Sequence, residues 1–359
     1  MKTILITGGA GFIGSNFVKL MLVKHPEYKI INVDALTYAG NLENLKDIDG
    51  NPNYEFIKVD IRDREKIEEI FKNNDITSVV NFAAESHVDR SIEEPEVFLT
   101  TNIIGTQVLL DTAKKYWKEN PKDKYCKEYK AGVKFVQVST DEVYGALGET
   151  GMFVETMPLM PNSPYSASKA SADMIVRAYN ETYGMPVNIT RCSNNYGPYQ
   201  FPEKLIPLMI NNCLKEKDLP VYGDGMQVRD WLHVSDHCSA IDTVLHKGKD
   251  GEVYNIGGNN EKANIEIVKL IIGTLSKSED LIKYVKDRPG HDRRYAIDNT
   301  KITTELGWEP AYTFEKGMKE TIQWYLENTK WIENIISGDY ANYYDKMYSS
   351  IDEVESPLK

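Results

Sequence analysis

Four consecutive polar residues, Ser139-Thr140-Asp141-Glu142, close an apolar run that extends from Val133 to Val138. Open parallel sheets bring strand ends of this kind to the edge where they bind ligands. Two adjacent carboxyl groups at such an edge can act as an acid and a base if their surroundings set their pKa values apart. A loop or helix start decorated with acids is the alternative, and these residues alone do not decide between the two.

A second pair of candidate residues, Tyr165 and Lys169, lies at the start of an amphipathic segment that extends to Tyr183. A spacing of four residues puts both side chains on one face of a helix. A nearby ammonium group stabilises a phenolate and lowers the tyrosine pKa, which makes tyrosine a usable base for an alcohol proton. An ordinary surface pair on a helix is the alternative, so the interpretation depends on the surrounding fold.

The N-terminal segment has the pattern of a dinucleotide-binding βαβ unit. It predicts a strand over residues 2–7, a glycine-rich turn over 8–14, a helix over 15–23 and a second strand over 30–34 that ends at Asp34. The turn supplies the candidate cofactor-binding residues Gly8, Gly11, Phe12, Ile13 and Gly14. Asp34 can accept hydrogen bonds from a ribose hydroxyl, and no arginine follows among the next four residues to receive a phosphate, so we predict NAD rather than NADP.

Strand and helix signals continue to alternate along the chain. Residues 54–59 and 78–82 predict strands, residues 64–73 a helix and residues 96–117 one long helix, followed by a lysine-rich loop to residue 134. We expect a Rossmann-like, doubly wound parallel sheet, with an NAD-binding domain over 1–185 and a smaller α/β lobe over 186–359, some strands of which return to the first sheet. Asp60, with Ile61 beside it, either meets an adenine amino group or caps the next helix.

The composition is that of a globular protein that does not bind polyanions. The 359 residues carry a net charge of −12 and give a pI near 5.1, which argues against nucleic acid and anionic membranes as partners. We find neither a signal-peptide pattern nor a membrane-length apolar run, so we expect a cytoplasmic protein whose four cysteines are thiols. His87, His233 and His291 lack metal-ligand spacing, and we expect no metal.

The motifs together resemble a known family. Thr7 to Gly14, Ser139-Thr140 and the Tyr165/Lys169 pair resemble the extended short-chain dehydrogenases/reductases that modify nucleotide sugars. The stretches 34–41, 83–91, 139–145 and 191–198 are similar to the members of that family that act as dTDP-glucose 4,6-dehydratases. The resemblance covers nearly the whole chain, and it explains least about the lysine-rich loop and the tyrosine-rich segment 332–348.

The resemblance implies an NAD-dependent hydro-lyase with assigned catalytic roles. Tyr165 would take the proton of the hydroxyl on carbon 4 of the sugar while Thr140 holds that oxygen, and Lys169 would support the phenolate and bind the nicotinamide ribose. Glu142 would remove the carbon 5 proton, and Asp141 would protonate the departing carbon 6 hydroxyl. Ala83 would contact the cofactor. Only the resemblance says which carboxyl group is the acid.

The resemblance also implies a nucleotide site in the second lobe and a homodimer. The implied substrate-binding residues, which include possible ligands of the diphosphate and of the base, are Ser86, Thr140, Asn195, Lys204, Leu205, Pro220, Tyr222, Arg229, Asn264, Arg288 and His291. Residues 96–117 and 165–183 would form the helices that pair across the dimer.

Three alternatives remain open. A UDP- or CDP-linked 4,6-dehydratase is the first, because sequence does not separate thymidine from uridine when one methyl group in a pocket is worth only about 1 to 3 kcal/mol. A nucleotide-sugar 4-epimerase would use the same cofactor, tyrosine and lysine without needing Asp141 and Glu142. A non-catalytic NAD-binding regulator would not need Thr140, Tyr165 and Lys169.

Overall fold

The computed structural model of the chain describes residues 2–287 and 289–336. Its strands, in chain order, are β1 (Thr3–Thr7), β2 (Lys29–Asp34), β3 (Tyr54–Lys58), β4 (Ile76–Asn81), β5 (Lys134–Thr140), β6 (Val187–Cys192), β7 (Asn194–Tyr196), β8 (Leu219–Tyr222), β9 (Val228–His233), β10 (Val253–Ile256), β11 (Glu261–Ala263) and β12 (Ile282–Val285).

The α-helices, in the same order, are α1 (Phe12–Lys24), α2 (Arg64–Asn73), α3 (Val88–Glu93), α4 (Pro95–Leu99), α5 (Thr106–Trp117), α6 (Pro164–Tyr183), α7 (Leu205–Leu214), α8 (Val234–Lys247), α9 (Asn264–Thr274), α10 (Thr300–Leu306), α11 (Phe314–Glu327) and α12 (Thr329–Ile336). Segments of 3₁₀-helix lie at Leu42–Ile48, Asp141–Tyr144 and Glu279–Leu281.

Seven parallel strands form the central sheet in the order β10-β6-β5-β4-β1-β2-β3. Because helices cover both faces, the inner strands are buried at nearly every position. In β1, Ile4 and Ile6 pack against α1 and α8, while Leu5 packs on the other face, where α2, α5 and α6 lie. The expected Rossmann-like, doubly wound parallel sheet is confirmed.

A second group of elements packs around its own apolar core beside the carboxyl edge of the central sheet. It contains the three-stranded sheet β11-β9-β7, the strand pair β12-β8, and the helices α7, α9, α11 and α12. Two strands from beyond residue 186, β6 and β10, nevertheless belong to the central sheet. The chain therefore crosses between the two parts several times, and the division at residue 186 stays a prediction.

The helix expected over residues 96–117 is present, but it is not regular throughout. α4 and α5 are joined by a π-helical turn at Thr100–Gly105. Within this turn the buried Asn102 amide accepts a hydrogen bond from the Glu85 backbone N–H at 2.8 Å and donates to the Glu85 carbonyl oxygen at 3.0 Å. The π-helical turn, a local widening of the helix, thus carries a side chain that hydrogen-bonds both backbone polar groups of Glu85 in a neighbouring loop.

No helix among the described residues is long and apolar enough to cross a membrane. The same part of the chain holds Cys126, Cys192, Cys213 and Cys238 as free cysteines, as expected.

Candidate active site

A cleft of about 370 Å³ opens at the carboxyl edge of the central sheet. It brings together every predicted catalytic residue and every predicted cofactor-binding residue. Those that line the cleft are Gly8, Gly11, Phe12, Ile13, Gly14, Asp34, Asp60, Ile61, Ala83, Thr140, Asp141, Glu142, Tyr165 and Lys169. Ser86, Asn195 and Lys204 from the predicted substrate set line it too.

The glycine-rich turn between β1 and α1 has a shape that suits a pyrophosphate. Gly8 has a φ of +71°, and a Cβ there would lie 2.6 Å from the Ala83 nitrogen; a Cβ on Gly14 would collide with the Gly8 carbonyl oxygen. The loop therefore packs with backbone alone against its neighbours, and it leaves the start of α1 facing the cleft. This cradle of small residues fits a dinucleotide.

Asp34 at the end of β2 is fixed by two backbone N–H groups. Its Oδ2 accepts a hydrogen bond from Ala10 at 3.0 Å, and its Oδ1 accepts one from Leu36 at 2.8 Å. Burial raises the carboxyl pKa, and these two bonds oppose that shift. Each carboxylate oxygen keeps a further acceptor site. The side chain is therefore set to accept hydrogen bonds from ribose hydroxyls.

Asp60 is not the cap of the following helix. The N-cap of α2 is Asp63, whose side chain accepts from the Lys66 N–H. Asp60 instead forms an ion pair with Arg62, with a closest nitrogen-to-oxygen distance of 2.6 Å, and a hydrogen bond to Arg62 lowers the pKa of its carboxyl group. The adenine contact of Asp60 stays a prediction.

The catalytic candidates Asp141 and Glu142 occupy a 3₁₀ turn that continues directly from β5. The Thr140 hydroxyl oxygen accepts a hydrogen bond from the Glu142 N–H at 3.2 Å, which fixes the start of the turn. Gly145 ends the turn with a φ of +86°, and a Cβ there would collide with the Met160 carbonyl oxygen. Only glycine fits this position without strain.

The two carboxyl groups have different surroundings. Asp141 is 1% exposed, whereas Glu142 is only half-buried on the wall of the cleft. Burial, followed by the negative charge of Glu142, raises the pKa of Asp141 well above its ordinary value. Asp141 Oδ2 is buried and has no hydrogen-bond partner within the described part of the chain. A neutral carboxylic acid is the form that this environment favours.

Tyr165 and Lys169 enter the cleft from the first turns of α6. Ser163 caps this helix, with its side chain accepting from Ser166 N–H at 3.1 Å, and Pro164 occupies the first helical turn. Lys169 Nζ donates to the Val138 carbonyl oxygen at 2.8 Å. Burial, then Glu142, Cys192 and Asp141, raise the Tyr165 pKa well above 10, which is opposite to the lowering expected from Lys169 alone. Desolvation and the nearby acidic groups therefore set the direction of the Tyr165 pKa shift.

A buried ion pair lies behind these catalytic candidates. Asp173, one turn after Lys169 on α6, accepts from Arg191 Nε at 2.9 Å, and Arg191 donates to the Tyr144 hydroxyl at 2.9 Å. Burial lowers the Lys169 pKa, and the Asp173 charge raises it. Asp173 thus helps to keep Lys169 charged.

This chain is similar to known proteins in both sequence and fold. The family model described as GDP-mannose 4,6 dehydratase matches residues 5–321. The chain belongs to this family. A dTDP-glucose 4,6-dehydratase from Xanthomonas campestris pv. campestris (strain B100) is 54% identical over 349 residues, which cover 95% of this chain and 97% of that protein.

Two solved structures of dTDP-glucose 4,6-dehydratases have the same fold. The one from Bacillus anthracis str. Ames, in complex with NAD, has a TM-score of 0.84 and 58% identity, and the match covers 93% of this chain and all of the other. The one from Streptomyces venezuelae, with NAD and dTDP bound, has a TM-score of 0.86 and 46% identity, with 93% and 99% coverage. The resemblance to extended short-chain dehydrogenases/reductases is thereby confirmed.

The other predicted substrate-binding residues of this member of the 4,6 dehydratase family do not line the cleft. Within the described residues, Leu205, Pro220, Tyr222, Arg229, Asn264 and His291 do not line it. His291 Nδ1 lies 2.6 Å from the Asp287 carboxylate, and the Tyr222 ring meets His291 edge-on. The Asn264 N–H donates to the Gln227 carbonyl oxygen, and the Gln227 side chain donates to Asp287.

The remaining substrate residues of this family member have other surroundings. Pro220 lies in β8 beside Tyr222, and Leu205 begins α7. Arg229 is buried and donates to the carbonyl oxygens of Val228 and Asp292. Arg288 and residues 337–348 of the tyrosine-rich segment lie outside the described residues. The roles assigned to these residues stay predictions.

Two acids that line the cleft were absent from the predicted site. Glu85 follows Ala83 in the loop after β4, and Glu203 precedes Lys204. Glu203 is 7% exposed, and its carboxylate lies 3.7 Å from both His87 Nε2 and Arg90. Burial raises its pKa. Its position next to Lys204 was the available signal, but neither charge pattern nor periodicity separates a cleft acid from a surface acid.

Proposed function

We propose that the chain converts dTDP-glucose to dTDP-4-keto-6-deoxyglucose and water, with NAD as cofactor. The observation that carries this proposal is the pair Asp141 and Glu142, one deeply buried and one half-buried, in the same cleft as Tyr165, Lys169 and the glycine-rich turn. Elimination of water needs an acid and a base side by side, whereas oxidation or epimerisation at one carbon does not.

The cofactor site uses this chain's own groups as follows. The turn of Gly8, Gly11 and Gly14 would hold the pyrophosphate, Asp34 the ribose hydroxyls, and Lys169 the nicotinamide ribose. When bound, NAD supplies a temporary hydride acceptor and a positively charged ring. The Tyr165 phenolate gains from added positive charge in the cleft, because burial and the two carboxyl groups oppose its formation.

The proposed proton transfers use four side chains that line the cleft. Tyr165 removes the proton from the oxygen on carbon 4 while the Thr140 hydroxyl bonds that oxygen. Loss of this proton together with the hydride on carbon 4, which bound NAD would accept, leaves a 4-ketone. The ketone acidifies carbon 5, from which Glu142 removes a proton. Asp141 donates its proton to the hydroxyl on carbon 6, so the carbon–oxygen bond breaks and water leaves. Return of the stored hydride to carbon 6 and of a proton to carbon 5 would complete the 4-keto-6-deoxy sugar. Its raised pKa supports the acid role, since it favours a protonated group at neutral pH.

The nucleotide would lie between the cleft and the second group of elements. Asn195 and Lys204 line the cleft and would face the diphosphate, while Tyr222, with Pro220 beside it, would contact the base. The proposed substrate-binding set is completed by Arg229, Arg288, Asn264, Leu205, His291 and Ser86. A homodimer and a cytoplasmic location are also proposed.

The discriminating experiment measures turnover of dTDP-, UDP- and CDP-glucose and identifies the product. We expect the highest kcat/KM with dTDP-glucose and a product that absorbs in alkali, as 4-keto-6-deoxy sugars do. Preference for UDP- or CDP-glucose with the same product would move the assignment to another 4,6-dehydratase. A product epimerised at carbon 4, without alkaline absorbance, would replace the proposal by the epimerase alternative.

A further inference from the structure

A compact group of two histidines and one aspartate lies far from the cleft, at the opposite edge of the central sheet. His25 directly follows the end of α1, and Asp242 and His246 lie in the second half of α8. Both helices end where the strands of the sheet begin, whereas the cleft opens where the strands end. The reaction proposed above does not use these residues.

The three side chains meet around one carboxylate oxygen. Asp242 Oδ1 lies 2.9 Å from His25 Nε2 and 3.0 Å from His246 Nδ1. One ligand atom from each residue lies within 4.8 Å of the other two. Within residues 2–287 and 289–336, no other group of three or more histidine, cysteine and acidic side chains meets this condition.

We propose that His25, Asp242 and His246 form a binding site for a divalent transition metal ion of the Zn²⁺ class. Two imidazole nitrogens and one carboxylate oxygen are ligands that this class prefers, and water would complete the coordination. Asp242 and His246 lie four residues apart on one helix face, and His25 comes from the neighbouring helix. An ion there would join α1 to α8.

The distances fit with a small adjustment. Ligand atoms about 2.1 Å from a tetrahedral ion lie about 3.4 Å from each other. The two nitrogen-to-oxygen distances of 2.9 and 3.0 Å must therefore widen by a few tenths of an ångström. The ion must also displace the Asp242 carbonyl oxygen, which lies 2.8 Å from His246 Nδ1. His25 and His246 are partly exposed and Asp242 is buried, so the ion would have access from solvent while the carboxylate stays fixed.

The charges near this site allow a test that distinguishes metal binding here from non-specific metal binding. Lys24 Nζ lies 2.6 Å from Asp242 Oδ2, the oxygen that does not face the histidines. A second lysine is farther away: Lys2 Nζ lies 5.5 Å from the centre of the Tyr28 ring. The Tyr28 hydroxyl in turn lies 3.1 Å from His246 Nε2. The Lys24 ammonium leaves Oδ1 available but opposes a second cation. Its removal should therefore strengthen metal binding.

The experiment titrates the full-length protein with Zn²⁺ by calorimetry and with Co²⁺ by visible absorption. We expect one ion per chain, and we expect His25→Gln and His246→Gln to lose this stoichiometric binding. Lys24→Gln should increase the Zn²⁺ affinity by about threefold or more. Lys46→Gln is the matched control, because it removes an exposed lysine elsewhere that pairs with Glu43.

Dehydratase activity, measured in parallel, should be unchanged in the two lysine variants. Absence of one-to-one binding would overturn the proposal, as would binding that persists in both histidine variants. Equal affinities of Lys24→Gln and Lys46→Gln would also contradict it, and this comparison remains valid if a histidine variant does not fold. Failure of the metal site would leave the proposed reaction untouched, since the two sites share no residue.

Discussion

The proposed acid and base roles of the two adjacent carboxyl groups agree with the difference in their burial. Asp141 is enclosed and carries a raised pKa, whereas Glu142 borders the cleft and is half-buried. Because water solvates charge better than a protein interior does, the outer group is better placed to carry the negative charge that a base needs. The inner group is better placed to keep the proton that an acid donates. The structure thus supplies a physical reason for an assignment that the sequence left to family resemblance.

Glu142→Gln tests this division directly. Removing the base should lower complete turnover by about 100-fold or more, because general-base catalysis contributes on this order. Oxidation at carbon 4 should persist, so reduced NAD should accumulate in single-turnover absorbance measurements. Glu149→Gln, at an exposed position in the following loop, is the control and should leave both steps unchanged. Normal turnover of Glu142→Gln would exclude Glu142 as the base.

Asp173→Asn tests whether the ion pair behind α6 keeps Lys169 charged. The charge of Asp173 raises the Lys169 pKa, so its removal should let Lys169 lose its proton at lower pH. The alkaline limb of the profile of kcat against pH should therefore shift toward lower pH. The measurement is kcat against pH at saturating substrate and NAD.

The single variant also leaves Arg191 as a buried cation without its carboxylate partner, which destabilises the fold. The double variant Asp173→Asn/Arg191→Met removes both charges and should recover part of the lost thermal stability while it keeps the shifted limb. If stability and the pH profile recover together, Asp173 acts only as a structural partner of Arg191.

At the scale of elements, the sequence predicted the parallel sheet well because each strand has a local signal. β1, β2, β4 and β5 are short β-branched or apolar runs, most of which a polar or glycine-rich segment follows. Their predicted limits lie within two residues of the structure. β7 and β11 have three residues each and depend on pairing with β9. Such pairing joins distant segments, and no local period announces it.

The candidate site likewise has residues that the sequence predicted and residues that it did not. The catalytic residues and the glycine-rich turn follow strand ends, so topology alone brings them to one edge. Glu203 and the group at His25 depend on contacts between loops and helices far apart in sequence, which spacing cannot reveal. The direction of the Tyr165 pKa shift was also beyond the sequence, because it depends on how burial and charge balance.

The π-helical turn at Thr100–Gly105 should be stabilised by what Asn102 binds. Asn102→Ala leaves the Glu85 N–H and C=O groups buried without this partner, which should lower the free energy of unfolding by about 2 to 4 kcal/mol. Urea denaturation measures the change. Thr100→Ala is the control from the same turn, since its hydroxyl bonds only within the helix and to Arg62; it should change stability by about 0.5 kcal/mol or less. Equal effects of the two substitutions would contradict a special role for Asn102.

At the scale of the whole molecule, exposed apolar side chains support the proposed dimer. Leu99 and Ile104 on the helix of residues 95–117 and Met174 on α6 are 44%, 51% and 56% exposed. We expect a solution mass twice the 40.9 kDa of one chain, measured by light scattering. Ile104→Lys/Met174→Lys should yield a folded monomer, because it introduces unpaired charges at an apolar contact.

Leu270→Lys is the matched control for that double variant. Leu270 is 39% exposed on α9, in the second group of elements, and its substitution should leave the dimer intact. A wild-type monomer, or a dimer that survives Ile104→Lys/Met174→Lys, would contradict this interface.

The position of β10 at the end of the central sheet has a consequence for synthesis on the ribosome. β10 covers the edge of β6, and its Asn255 accepts a hydrogen bond from Tyr144, the last residue of the turn that carries Asp141 and Glu142. A nascent chain shorter than about 256 residues therefore exposes the hydrogen-bonding edge of β6 and lacks this support for the catalytic turn. Translational arrest before β10 should leave a chain prone to intermolecular strand pairing, and active-site geometry should form only once this late strand has emerged.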